Sequence, residues 1–271
     1  MDNFAYHEPR TLEEAAAALR AARDGVFIAG GMSLIPALKQ RRVRPSDLVD
    51  LRLIDGLDGI RREADTLVIG AMAKHADVAG SDVVRGAIPD LARLVGEMAD
   101  PSVRNRATLG GSIAYADPAS DYPPALLALD ATVITDTRSI AAADFFIGPF
   151  KTALRKGEII KAVGFPIPDN AAYVKFANVA SRYAIVGVFV AKRADKARVA
   201  VTGARPCVFR FGEMERALEA SFTPEAIKPI VISSQGLTAD IHGTPEYRAH
   251  LIGIMAQRAV GSALRQRPRN A

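Results

Sequence analysis

Two double glycines constrain this chain more than any other feature of its sequence. The first closes an apolar run in "GVFIAGGMSLIP", Gly25 to Pro36, and the second lies in "TLGGS", Thr108 to Ser112. An apolar strand that runs straight into two glycines has to turn sharply. Glycine takes left-handed backbone freely and lets other backbone approach with no Cβ in between. The turns AGGMS and TLGGS share one make-up: small residues, two glycines and a hydroxyl residue just after. Such turns let backbone N–H groups converge into a concave nest for phosphate oxygens, and the neighbouring hydroxyl adds a donor. Neither turn is a G-x-G-x-x-G after a strand or a G-x-x-x-x-G-K-[ST], which argues against a Rossmann or P-loop site. Together they would grip a pyrophosphate from two sides, with Arg104 and Arg106 just upstream of the second. Read singly, each is more readily an ordinary tight turn between buried elements; the pair, with those arginines, brings the two readings level.

The elements around the turns mix both periods. Thr11 and Glu14 make a capping-box pair ahead of Leu12, Ala15, Ala16 and Leu19, on one helical face, and Gly25 stops that helix. "VFIAGG", "DLVDLRLI", "DTLVIGAM", "ATVIT" and "EIIKAVGFPI" read as strands, and "IPDLARLVGEMA" as a helix opened by Pro89. The stretch from Ser102 to Leu129 reads as loop-rich. "YAIVGVFVAKRADKARVAVTGA" is a hairpin, and two helices follow, "EMERALEA" and "EYRAHLIGIMAQRAVGSALRQ". In the latter, Tyr247, Leu251, Ile254 and Met255 form an apolar stripe expected in the core. The class is α+β, and "FPIPDNAA" marks a boundary near residue 168. Residues 1–168 then form one domain of two lobes, about 1–55 and 56–168, and residues 169–271 a smaller one.

Composition narrows the chemistry further. Cys207 is the only cysteine, which removes an internal disulfide, an iron–sulfur cluster on thiolates and a Cys-rich zinc site from this chain. The four histidines are scattered, and no metal site is expected. A net charge of +5 suits an anionic ligand but is no nucleic-acid footprint, and the basic tail "ALRQRPRNA" reads as a solvated terminus. No apolar run reaches the ~20 residues of a membrane span. The opening "MDNFAYHEPR" has no apolar leader segment, so the expected location is cytoplasmic. Asp117 and Asp121 flank "PAS" and read as a capping and turn pair. No nucleophile elbow or nucleophile–base pair is evident, so any reaction falls to a cofactor.

The residues "AGGMSLIP", "SVRNRATLGGSIAYADPASDYPPALLALDA", "DFFIGPFKTALRKGEII", "YAIVGV" and "EYRAHLIGIMAQRA" occur in that order across nearly the whole chain. In this it resembles the FAD-binding medium subunit of the molybdenum hydroxylases, the group of aerobic carbon monoxide dehydrogenase and xanthine dehydrogenase. The resemblance implies a two-lobed FAD-binding fold of the vanillyl-alcohol oxidase (PCMH) type, followed by a small α/β C-terminal domain. It assigns Ala29, Gly30, Gly31, Met32 and Ser33, with Thr108, Leu109, Gly110, Gly111 and Ser112, to the FAD pyrophosphate. Asp121 falls where an acid contacts the FAD, Ile160 and Lys175 near the flavin ring, and Tyr183 where it would cover the ring. Lys175 and Tyr183 read equally as a strand surface residue and a core aromatic.

The implied partners are a large subunit with the molybdenum cofactor and a small subunit with two [2Fe–2S] clusters, assembled as a dimer of heterotrimers. The chain would pass electrons from those clusters through FAD to an acceptor, with no catalytic residue of its own. Ser112 stands where many relatives have Asn, and Arg182 where many have Asp. A rival reading is a stand-alone FAD-dependent reductase, similar to the UDP-N-acetylenolpyruvoylglucosamine reductase. That enzyme type needs its own substrate site and a Ser or Cys proton donor, and nothing around Cys207 suggests activation. Another is a binding or assembly module that has lost its flavin.

Overall fold

The computed structural model describes residues 2–265, so the basic tail from residue 266 on lies outside the described residues. The N-terminal stretch runs β1 (Ala5–His7), α1 (Leu12–Ala21), β2 (Gly25–Ile28), α2 (Leu34–Lys39) and β3 (Asp47–Asp50). Thr11 caps α1 by accepting from the Glu14 N–H at 3.1 Å, and Glu14 accepts from the Arg10 N–H at 2.7 Å. The helix ends at Ala21, before Gly25, because Ala22 is already extended; Gly25 opens β2 instead. The three strands are parallel in the order β1-β3-β2, which places the first glycine turn at the C-terminal end of β2. Ligands of parallel α/β units gather at that end.

A second, antiparallel sheet has the order β4 (Ile60–Glu63), β5 (Thr66–Gly70), β10 (Ile160–Pro166), β6 (Thr132–Thr135) and β7 (Ser139–Ala141). Between β5 and β6 the chain folds into α3 (His75–Gly80), α4 (Asp82–Ala87), α5 (Pro89–Gly96), α6 (Pro101–Arg104), α7 (Leu109–Tyr115) and α8 (Tyr122–Ala128). The stretch that reads as loop-rich is therefore three short helices. Pro101, just ahead of it, and Pro123 and Pro124 within it sit in the first turns of α6 and α8, where a missing N–H costs nothing. After β7 come α9 (Ala142–Phe145) and the small hairpin β8 (Phe146–Gly148) and β9 (Lys151–Thr152).

The third sheet, β11 (Asn170–Ala177), β12 (Ala184–Arg193), β13 (Lys196–Thr202) and β14 (Phe209–Arg210), is antiparallel, with α10 (Gly212–Ala220), α11 (Pro224–Ile227) and α12 (Pro245–Arg265) following it. Its strands alternate between two cores, as a pleated strand with both faces covered must. Val186, Val188 and Val190 pack towards Leu251, Ile252 and Met255 of α12. Phe189 and Ala191, with Tyr173, join the core that also holds Leu67, Leu91, Leu126 and Phe165. The largest core therefore runs across residue 168. Along α12, Leu251 and Met255 are buried, but Tyr247 is 40% exposed and meets Phe176 edge-on. Among the described residues no helix is long and apolar enough to cross a membrane.

Glu158 locks the second sheet just ahead of β10. Its carboxylate accepts from Thr135 Oγ1 at 2.8 Å, Arg138 Nε at 2.8 Å and Nη2 at 3.0 Å, and the Arg155 N–H at 2.8 Å. The Arg138 guanidinium, with these hydrogen bonds, outweighs burial and holds the carboxyl at about 2, against 4.5 when free. A depressed folded-state pKa stabilises above the free value and is lost as pH falls from 4.5 towards 2. The difference amounts to about 3 kcal/mol at neutral pH. We expect Glu158→Gln to lose about that much in urea unfolding at pH 7 and to flatten the acid limb of the stability curve. An unchanged acid limb would assign that slope to other carboxylates.

Candidate flavin site

The first glycine turn is built by close approach. A Cβ on Gly30 would lie 2.1 Å from the carbonyl oxygen of Arg106 and 2.8 Å from Cα of Ala107, so the segment leading into the second turn presses directly on the first. Gly31 has φ +74°, the left-handed region that a Cβ disfavours. Among the described residues, the N–H groups of residues 30 to 34 make no hydrogen bond within the chain, while the Gly31 carbonyl accepts from Ile35 N at 2.9 Å. Five consecutive donors with no partner, beside a partly exposed Ser33, leave this turn free to meet an anion.

The second turn differs from the expected nest. Thr108 caps α7, and its Oγ1 accepts from the Gly111 N–H at 3.1 Å. The Leu109 N–H goes to Ala73, Gly110 to Ala71 at 2.7 Å, and Ser112 to the Thr108 carbonyl. All four donors are engaged, because the turn is a helix start and not an open loop. The turn still lies against the first: a Cβ on Gly111 would be 3.7 Å from that of Ala29. Its free chemistry is the Ser112 hydroxyl, 3.2 Å from Ser120 Oγ. Arg104, expected to serve the anion, instead donates to the carbonyls of Met98 (2.6 Å) and Ala99 (3.1 Å). Arg106 is exposed, with no hydrogen bond from its side chain among the described residues.

Asp121 and Lys175 meet although 54 residues separate them. Lys175 Nζ lies 2.8 Å from Asp121 Oδ2, and the side chains are 6% and 7% exposed. Tyr173 Oη donates to Asp121 Oδ1 at 2.5 Å. Tyr173 and Lys175 share one face of β11 because they are two apart on a strand. Burial pushes the Asp121 carboxyl above the usual range, and the Lys175 ammonium pulls against it. Asp121 opens α8 but makes no capping bond, whereas Asp117 forms the expected turn by accepting from the Ala119 N–H at 2.9 Å. Sequence reading missed Tyr173; its signal was the i, i+2 spacing to Lys175.

The remaining candidates lie close in the chain's bonding. Lys175 Nζ also donates to the Arg182 carbonyl at 3.1 Å, which holds the loop before Tyr183. Tyr183 is 46% exposed, so it is no core aromatic. Arg182, at φ +62°, sends its guanidinium to the Ala99 carbonyl at 3.4 Å. Ile160 is buried at the start of β10; the next carbonyl, of Lys161, accepts from Ala71 N, and the Ala71 carbonyl takes Gly110 N. Met32 is exposed on the first turn, and Leu109 is buried beneath the second.

Paired glycine turns, a phosphate-ready row of N–H groups and a buried acid–lysine pair define a nucleotide-cofactor-binding protein. The chain belongs to the family described as the FAD binding domain in molybdopterin dehydrogenase, which it matches over residues 2–168. It is 33% identical to the carbon monoxide dehydrogenase medium chain of Hydrogenophaga pseudoflava, with 96% of each chain covered. It is 34% identical to the nicotine 6-hydroxylase medium subunit of Paenarthrobacter nicotinovorans, with 95% and 96% covered. Reconstituted CO dehydrogenase from Oligotropha carboxidovorans matches the fold with a TM-score of 0.89 at 32% identity, over 97% of this chain and 98% of that one. The α+β fold is thus the FAD-binding fold that the resemblance implied, and the cofactor is FAD. The first turn fits it: the open N–H row at residues 30 to 34 suits a pyrophosphate.

Proposed function

We propose that this chain is the FAD-carrying electron-transfer subunit of a molybdenum hydroxylase. It takes electrons from [2Fe–2S] clusters of a small partner subunit and passes them to an external acceptor, and a large partner subunit holds the molybdenum cofactor. The unpartnered N–H row of residues 30 to 34, pressed against the start of α7, carries this reading. In it, the first turn and Ser112 hold the pyrophosphate, Asp121 orients Lys175 towards the flavin ring, and Ile160 and Tyr183 border the ring. Bound FAD supplies the one- and two-electron chemistry; the protein supplies binding, orientation and charge.

Relatives of similar identity are named for carbon monoxide, nicotine, glyceraldehyde and caffeine. That spread over one shared subunit type supports substrate choice on another chain. Assembly as a dimer of heterotrimers and a cytoplasmic location belong to the same proposal. The stand-alone reductase gains no support: Cys207 Sγ lies 3.6 Å from the Phe146 carbonyl, and burial pushes its thiol up.

An absorption spectrum of the purified chain with and without added FAD tests the reading, with the released flavin identified after denaturation. Flavin bands from FAD, and none from FMN, are expected, because the first turn addresses a pyrophosphate. Equal uptake of FMN would overturn it.

A further inference from the structure

The matched FAD-binding segment ends at residue 168, yet the loop that carries Ser120 and Asp121 is held from beyond it. Thr202 Oγ1, at the end of β13, lies 2.9 Å from the Pro118 carbonyl and 2.8 Å from that of Ser120. The Gly203 N–H donates to the same Pro118 carbonyl at 2.8 Å, and the Ala184 N–H reaches the Ala119 carbonyl at 3.4 Å. Three consecutive carbonyls of the 118–120 loop are thus fixed by the ends of β12 and β13. Ser120 then meets Ser112 of the second glycine turn, and Asp121 meets Lys175.

Those strand ends are themselves pinned by one side chain. Arg248, on the first turn of α12, is 2% exposed. Its Nη1 donates to the carbonyls of Ile185 (2.5 Å) and Gly203 (2.7 Å), and its Nη2 makes two 2.7 Å bonds to Asp240. A buried guanidinium is costly unless its donors are matched; here Nη1 and Nη2 are matched by the two carbonyls and the carboxylate, while Nε is buried without a partner among the described residues. Gly203 has φ +80° and packs against the Ala184 and Ile185 carbonyls, which leaves this corner little room to relax.

We propose that Arg248 is a positioning residue for FAD binding. It acts from α12 through Gly203 and Thr202 on the 118–120 loop, and through that loop on Ser112 and Asp121. The segment beyond residue 168 therefore completes the cofactor site. The inference rests on the reading of the glycine turns as the FAD site.

The test is a double-mutant cycle on the full chain, read as FAD affinity by absorbance titration of the apoprotein, with far-UV circular dichroism as the folding control. Arg248→Met is expected to weaken FAD binding at least tenfold and Thr202→Val several-fold. The double variant should bind no more weakly than Arg248→Met alone, because both cut one path. Arg248→Met that stays folded and binds FAD within twofold of the native chain overturns the inference. So do effects that multiply in the double variant, the pattern of two unrelated structural defects. Should Arg248→Met fail to fold, Thr202→Val decides alone: native affinity refutes the path, and a several-fold loss supports it. A native chain that takes up no FAD would instead overturn the site reading beneath it.

Discussion

Gly30→Ala should give a folded chain that no longer binds FAD. The added methyl would sit 2.1 Å from the Arg106 carbonyl oxygen and 2.7 Å from its carbonyl carbon. Both obstacles are backbone, so no rotamer relieves them. The first turn has to move off the 106–107 segment by about an ångström, which breaks the alignment of the open N–H row with α7. We expect the FAD dissociation constant to rise at least ~100-fold, about 3 kcal/mol of binding. The stability loss should be smaller, about 1–3 kcal/mol, as for an overpacked site that can shift. Gly59→Ala is the matched control: a Cβ there meets nothing within 4 Å, and binding should be untouched. Native affinity in Gly30→Ala would mean that the two turns do not need each other.

The glycine turns, the long hairpin and α12 were legible because each carries a local signal: paired glycines, period-two alternation and a helical stripe. The three short helices after Asp100 were not, because Pro101, Pro118, Pro123 and Pro124 read as breakers when three of them open helices. The same mistake turned the second glycine turn into a nest, whereas Thr108 closes it as a cap. The largest core spans both sides of residue 168, where the matched family segment also ends. β12 had announced this, since "AIVGVFVA" has no polar residue and a strand without a polar face is covered on both sides. Contacts such as Asp121 to Lys175 and Arg248 to Gly203 join residues far apart in the chain, and no spacing rule reaches that far.

Breaking the Asp121–Lys175 pair from either side should cost more stability than any other single change at the site. Both side chains are nearly excluded from water, and their atoms lie 2.8 Å apart. Removing one partner strands the other as an uncompensated buried charge, typically a loss of about 3–5 kcal/mol. We expect Asp121→Asn and Lys175→Met each to lose about that much in urea unfolding of the apoprotein, and to lose FAD. The double variant should recover part of the stability, because the amide that replaces the carboxylate still accepts from Tyr173 and no charge is left behind. Losses below ~1 kcal/mol in both singles would show that water reaches the pair.

The two single variants should also part company with pH. In Lys175→Met the stranded group is a carboxylate whose folded pKa already lies above its ordinary 3.8 and rises further without the ammonium. A raised folded pKa means that the native state binds the proton more tightly, so lowering the pH towards the ordinary carboxylate range restores stability to this variant. In Asp121→Asn the stranded group is an ammonium, which acid only keeps charged, and no such recovery is expected. A deficit that shrinks in acid for Lys175→Met alone would identify the buried carboxylate as the group left unpaired. Parallel pH profiles would mean that the pair contributes shape and not charge.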